Sequence, residues 1–551
     1  MEPKTGVATG PRTIIRKLFS SEYGASDRLI PRWIFLRALG LIYFSAFYSL
    51  VFQIRGLIGP QGILPANSYL DAVSHSAVAH ARVWYVPSLL WISSSSAMLM
   101  TLCWVGMIAS IVLVLNFWPR AMLLICFVCF LSFVAAAQDF SGYQSDGMLL
   151  GAGFVSLFFA PPGLRPGLGA DHPPSRVSLF LLQWEWLRIY FESGIAKLAS
   201  GDPQWRNFTA MDEYYQNGPL PTWIGWYMQH LPHWFHAGST TATLVMELGL
   251  VWMILLPRPF RIILFFIVTV WEVGVIGTAN YAFLNYLVLA LGILLVDDQL
   301  LLRFVPRRWK QRVADALKVE TPHAASPPQE GNSTEGSPRS PLERVRPHAE
   351  ALKLAFSAVM LTWIFYATTV DLIRMLWPGV PLPRAPVAIL EPSRIADRYG
   401  LFAVMTRGRY EIEFQGSNDG QNWIPYPFRY KPQALNEPPG IYAPYQPRFD
   451  WNLWFASLES WRSNPIVPNT EIRLLTNDPD IISLFGGNPF AKAPPKQIRA
   501  VLWQYWFTSM PEKRATGNWW RRQLLGLYAP TLERQPDGQI GVVEMPPSPE
   551  Q

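Results

Sequence analysis

Four charged residues within one apolar stretch are the first candidates for chemistry: Glu185, Arg188, Glu192 and Lys197 in QWEWLRIYFESGIAKLA (183–199). A charge held at the centre of a bilayer costs roughly 2.5–3.5 kcal/mol on insertion scales, so four in one span need partners or a purpose. Glu185 and Arg188 are three apart, and Arg188 and Glu192 are four apart, which puts them on one helical face. That spacing predicts an internally salt-bridged triad, with Lys197 snorkelling to the outer interface. A second reading is that the face lines a cavity shared with Glu247 and Glu272 from later spans. Arg188, Glu192, Lys197 and Glu247 would then surround a site for a lipid or quinone-like substrate.

The following stretch, GDPQWRNFTAMDEYYQNGPLPTWIGWYMQHLPHWFH (201–236), offers Asp202, Trp205, Arg206, Asp212, Tyr214 and Tyr215 as a candidate loop site. His230, His233 and His236 repeat at every third position. Histidine is a common metal ligand, but Pro232 breaks a regular helical face and no H-E-x-x-H pattern is present. Packing or interfacial histidines are therefore favoured, and neither a metal nor a cofactor is expected. Cys126 and Cys129 spell C-x-x-C inside an apolar run, where burial disfavours the thiolate that redox chemistry needs. With Cys103 they read as core residues. There is no nucleophile-elbow G-x-S-x-G, phosphate-binding glycine loop or calcium loop.

Composition shows what must hold these residues. Of 551 residues, half are hydrophobic and only 15% charged. Soluble domains average roughly 25% charged. The apolar residues also cluster in bilayer-length runs, so the chain reads as an integral membrane protein. The net charge of +7 suits basic cytoplasmic loops better than nucleic acid, which is not expected as a partner.

Residues 1–32 form a basic N-terminus without the apolar core of a cleaved signal peptide. A transmembrane core of about eight spans is expected over 33–302, with an outside loop at 200–239. The Pro/Ser-rich segment 303–348 predicts a disordered cytoplasmic linker. A last span follows at 349–378, giving about nine. Lys and Arg concentrate in alternate loops, placing the N-terminus in the cytoplasm and the C-terminus outside. Asp139 and Asp146 fall near a helix boundary, where water access makes charge inexpensive. Asn207–Thr209 and Asn332–Thr334 match glycosylation acceptors, on the outside and cytoplasmic faces respectively.

The fold class expected is a multi-pass α-helical membrane protein with a C-terminal extracytoplasmic antiparallel β domain over 383–535 and a disordered tail at 536–551. Arg409–Gln415 alternates in polarity, Ser417–Gly420 supplies a turn, and residues 498–509 read as another strand, which suggests a sandwich or half-barrel. Tyr430, Tyr442, Tyr445, Trp451 and Trp454 serve either as core, the favoured reading, or as a client-binding face.

Several long stretches resemble the lipase maturation factor family: residues 201–236, TANYAFLNYL (278–287), 399–432, APYQPRFDWNLWFA (443–456) and GNWWRRQLLGLY (517–528). The resemblance runs from the first span to about Leu532. It implies a multi-pass protein of the endoplasmic reticulum membrane that helps secreted homodimeric lipases reach their active state, with membrane lipid and client proteins as partners; a reaction is not implied. The few cysteines suggest a bacterial member, whose equivalent location is the inner membrane with a periplasmic C-terminal part. The GLIGPQGILP loop (56–65) is similar to the membrane domain of vitamin K-dependent carboxylases, which leaves an enzyme reading open.

Overall fold

In a computed structural model, residues 11–317 and 341–547 are described. All nine apolar runs are helical. The helices are α1 (Leu29–Val51), α2 (Ser96–Val114), α3 (Pro119–Ala136), α4 (Gln144–Phe159) and α5 (Arg176–Ala199). Then come the short α6 (Trp223–Gln229), α7 (His233–Leu248), α8 (Arg258–Thr278), α9 (Leu284–Gly292) and α10 (Pro341–Leu376). Among the described residues, six helices are long and apolar enough to cross a membrane: those ending at Val51, Val114, Ala136, Leu255, Thr278 and Leu376. Of the other three runs, α4 is 16 residues long, α5 carries the charges, and 284–295 is short.

Side-chain caps begin three of these helices. Ser95 accepts from the Met98 amide, Ser175 from Ser178 and Thr222 from Gly225, each satisfying an amide that the first turn leaves free. The expected linker is partly ordered: Arg307–Leu317 is helical and α10 begins at Pro341. Residues 318–340, including the Asn332–Thr334 acceptor, lie outside the described residues, as do 1–10 and 548–551.

The C-terminal part is a mixed structure built on one antiparallel sheet, and not a two-sheet sandwich. Its strands are β1 (Arg409–Ser417), β2 (Ile424–Pro425), β3 (Gln497–Phe507), β4 (Trp520–Leu527), β5 (Thr531–Arg534) and β6 (Ile540–Glu544). The order is β2-β1-β3-β5-β6, with β4 also pairing β3. Glu413 of β1 sits opposite Val501 of β3. The expected hairpin forms, with Gln415 opposite Pro425 across the Ser417–Gly420 turn. β6 lies within the segment expected to be a disordered tail, where it pairs β5.

Two helices, α11 (Arg448–Ala456) and α12 (Ile466–Leu475), join the sheet to the bundle. Phe414 of β1, Phe449 of α11 and Phe485 cluster on one sheet face. This core is continuous with that of the helical bundle. The two parts are therefore packed as one body, not tethered by a span.

Candidate functional site

Helix α5 carries two polar clusters. In the first, Arg188 Nε donates to Glu192 Oε1 at 2.7 Å, with both side chains buried. The partners that complete this pair come from residues 397–401, a segment between α10 and the sheet. Arg188 donates to the Asp397 carbonyl at 2.5 Å, 209 residues away in sequence. The Tyr399 amide donates to Glu192 Oε2 at 2.7 Å, and the Leu401 amide to Ser193 Oγ at 3.2 Å. Glu185 is not in an ion pair with Arg188. It accepts from the Tyr399 hydroxyl at 3.3 Å. The expected triad is therefore a pair plus a carboxyl held by a tyrosine, because Arg188 turns its second nitrogen toward Asp397.

The segment fits closely. A Cβ at Gly147 of α4 would collide with the Asp397 carboxylate, so only glycine leaves room for the approach. Burial raises the Asp397 carboxyl above the usual carboxylate range, partly offset by Arg394, whose Nε lies 3.3 Å away.

In the second cluster, Lys197 donates to Glu247 Oε1 of α7 at 2.8 Å and to the Leu401 carbonyl at 3.0 Å. Lys197 is buried instead of reaching an interface, since Glu247 and Leu401 supply inside the acceptors that snorkelling would seek in water. Glu272 of α8 accepts from the Tyr190 hydroxyl and, at 2.7 Å, from Asn285. Both acids line a cavity of about 480 Å³ with Lys197, Trp205, Tyr214 and Tyr215.

The loop residues mostly position structure. Asp202 accepts from the Gln204 amide at 3.0 Å and the Met405 amide at 2.7 Å. Trp205 is buried and donates to the Phe402 carbonyl at 3.1 Å. Arg206 is exposed, 3.4 Å from the Leu198 carbonyl. Tyr214 packs on Phe402, and Tyr215 lies beside His236. The three histidines do not converge. His230 bridges the Trp226 and Thr508 carbonyls, His233 pairs with Asp212 at 3.0 Å, and His236 meets the Leu231 carbonyl at 2.8 Å.

Of the C-terminal aromatics, Trp451 and Trp454 are buried on α11 and belong to the core. Tyr430, Tyr442 and Tyr445 form a half-buried cluster, with ring centroids 4.9 and 5.4 Å from Tyr430. Tyr445 also accepts from Gln53 beyond α1 at 3.1 Å.

Two partners escaped sequence reasoning. Asp146 is fully buried, not watered at a helix end, and Arg448 grips both its oxygens at 2.7 and 2.8 Å. Asn280 accepts from the Tyr442 and Ala443 amides at 2.7 and 3.0 Å and donates to the Gly440 carbonyl at 2.9 Å. Asp146 stands out only as an acid inside an apolar run. Asn280 and Arg448 both lie in family-like stretches, which was the one available signal.

A helical membrane core locked to a β-containing C-terminal part by a buried ion pair and backbone hydrogen bonds defines the class. Residues 30–303 match the lipase maturation factor transmembrane domain, and residues 395–530 the lipase maturation factor C-terminal domain. Lipase maturation factor 2 of Gallus gallus is 30% identical over 91% of this chain and 81% of its own length. Lipase maturation factor 1 of Bos taurus is 30% identical over 92% and 89%, and lipase maturation factor 2 of Homo sapiens 28% identical over 92% and 83%. The chain belongs to the lipase maturation factor family. No solved structure matches it.

Proposed function

We propose that this protein is a membrane-embedded maturation factor that brings exported lipases to their folded, active state. The observation that carries this reading is similarity to proteins named lipase maturation factors over about nine-tenths of the chain. The geometry supports it with aromatic surface in the expected outside segments. The Tyr430–Tyr442–Tyr445 cluster is half-buried, and Trp223, Tyr227 and Trp234 of α6 and α7 are exposed. Exposed aromatic patches suit binding of partly folded chains.

In this reading all nine apolar helices cross the bilayer. The N-terminus is cytoplasmic, and the sheet lies in the lumen of the endoplasmic reticulum, or in the periplasm of a bacterial host. The reading of an enzyme built around Arg188 and Glu192 is weakened, because both are taken up by each other and by residues 397–401.

Deleting the C-terminal part would be a poor test, since it shares its core with the bundle. Point variants are better. In cells lacking their own factor, the full chain is co-expressed with a secreted lipase, and lipase activity per secreted mass is measured. The full chain should raise that ratio, and Tyr430→Ala with Tyr442→Ala should lower it at unchanged expression. A full chain that performs no better than empty vector would overturn the proposal.

A further inference from the structure

The cavity beside the second polar cluster has the features of a ligand site. Its volume of about 480 Å³ falls within the roughly 300–1,000 Å³ usual for small-molecule sites. Its lining comes chiefly from α5, α7, α8, α9 and residues 401–405, and is mainly apolar. The mouth lies between α7 and α8, on residues facing away from the protein: Val245 is 50% exposed and Val270 74%. On a membrane-spanning pair of helices, that side faces acyl chains.

The inner end is polar and incompletely satisfied. Both oxygens of Glu272 are engaged, by Tyr190 and Asn285. Glu247 gives Oε1 to Lys197, whereas its Oε2 is buried with no hydrogen-bond partner among the described residues. A buried acceptor left unmatched is destabilising, and a donor from a ligand would relieve it. The surroundings select that donor. Lys197 disfavours a cationic headgroup, and Glu247 with Glu272 disfavours a carboxylate or phosphate. A neutral hydroxyl fits both constraints.

We propose that this cavity binds a single-chain lipid with a hydroxyl headgroup, entering sideways from the bilayer between α7 and α8, its hydroxyl donating to Glu247 Oε2. This is independent of the maturation role, because it concerns binding alone and is measured without any client.

Gly274 of α8 lines the cavity, and a Cβ built there meets nothing within 4 Å. Gly274→Phe therefore removes a helix-destabilising glycine and, on a Cβ that meets no neighbour, adds a ring at the cavity. Ala242→Phe fills it from α7. The full-length protein in lipid nanodiscs is photolabelled with a diazirine-bearing long-chain alcohol and, separately, with its O-methyl ether. Unfolding temperature is checked for each variant. The alcohol should label peptides of α7 and α8 at least fivefold more than the ether. Each stably folded filling variant should cut that labelling at least fivefold. Equal labelling by alcohol and ether, or undiminished labelling in both filling variants, would overturn the proposal.

Discussion

The two polar clusters of α5 are each built on a buried cation–glutamate pair and finished differently. Around Arg188, a segment from far along the chain supplies backbone donors and acceptors until both charged groups are matched. Around Lys197, the same segment supplies one carbonyl and then turns away, leaving a carboxylate oxygen unmatched beside a cavity. Charge inside a membrane protein is thus not one signal. What separates a structural pair from a candidate binding site is whether its last hydrogen-bond position is filled from within.

Breaking the sealed cluster should have the largest effect. Arg188→Met leaves Glu192 buried without its cation, and losing one partner of a buried pair costs about 3–5 kcal/mol. Thermal unfolding in detergent should show a large loss of stability, or no folded protein. Glu247→Gln should cost less, about 1.5–3 kcal/mol, since the amide oxygen still accepts from Lys197. If the two substitutions cost the same, the distinction between the clusters fails. Asn280→Ala removes three hydrogen bonds between the bundle and residues 440–443 and should cost roughly 1–3 kcal/mol. Chemical denaturation of the purified protein measures it.

The last expected effect concerns pH, in the C-terminal part outside the spans. Burial pushes the Asp450 carboxyl up to about 7, against attraction from Lys431. Lys431 is itself shared with Glu411 at 2.9 Å, and the Tyr442 and Tyr445 hydroxyls also face Asp450. An acid raised in the folded state binds more protons folded than unfolded between about pH 4 and 7. Stability should therefore fall as pH rises through that window and level off above it. Asp450→Asn should flatten the slope, read as unfolding temperature at several pH values from 4.5 to 7.5.

Much of the helical architecture was legible because a bilayer imposes a long apolar period that no other environment demands. The charged stretch 183–199 was legible for the same reason, as an exception to that period. Its completion was not. Tyr399 and Leu401 act through backbone amides, and any residue but proline carries one. The fate of Lys197 was missed because Glu247 lies 50 residues away on a helix whose facing cannot be read from spacing. In the sheet, β1 announced itself by alternation, and Ile412 and Phe414 are fully buried. Strand β6 is mostly exposed, so it carries no buried face to betray it.

The grip of Arg448 on Asp146 spans 302 positions of sequence. A ribosome therefore delivers the acid long before its counter-ion. Until residues 397–448 emerge, the nascent bundle holds an unneutralised carboxylate at Asp146 and lacks the groups that will settle on Glu192. Assembly of the bundle must wait for residues 397–448, so termination before them should leave spans inserted yet unassembled, exposed to quality control of the kind that it is proposed to spare its clients.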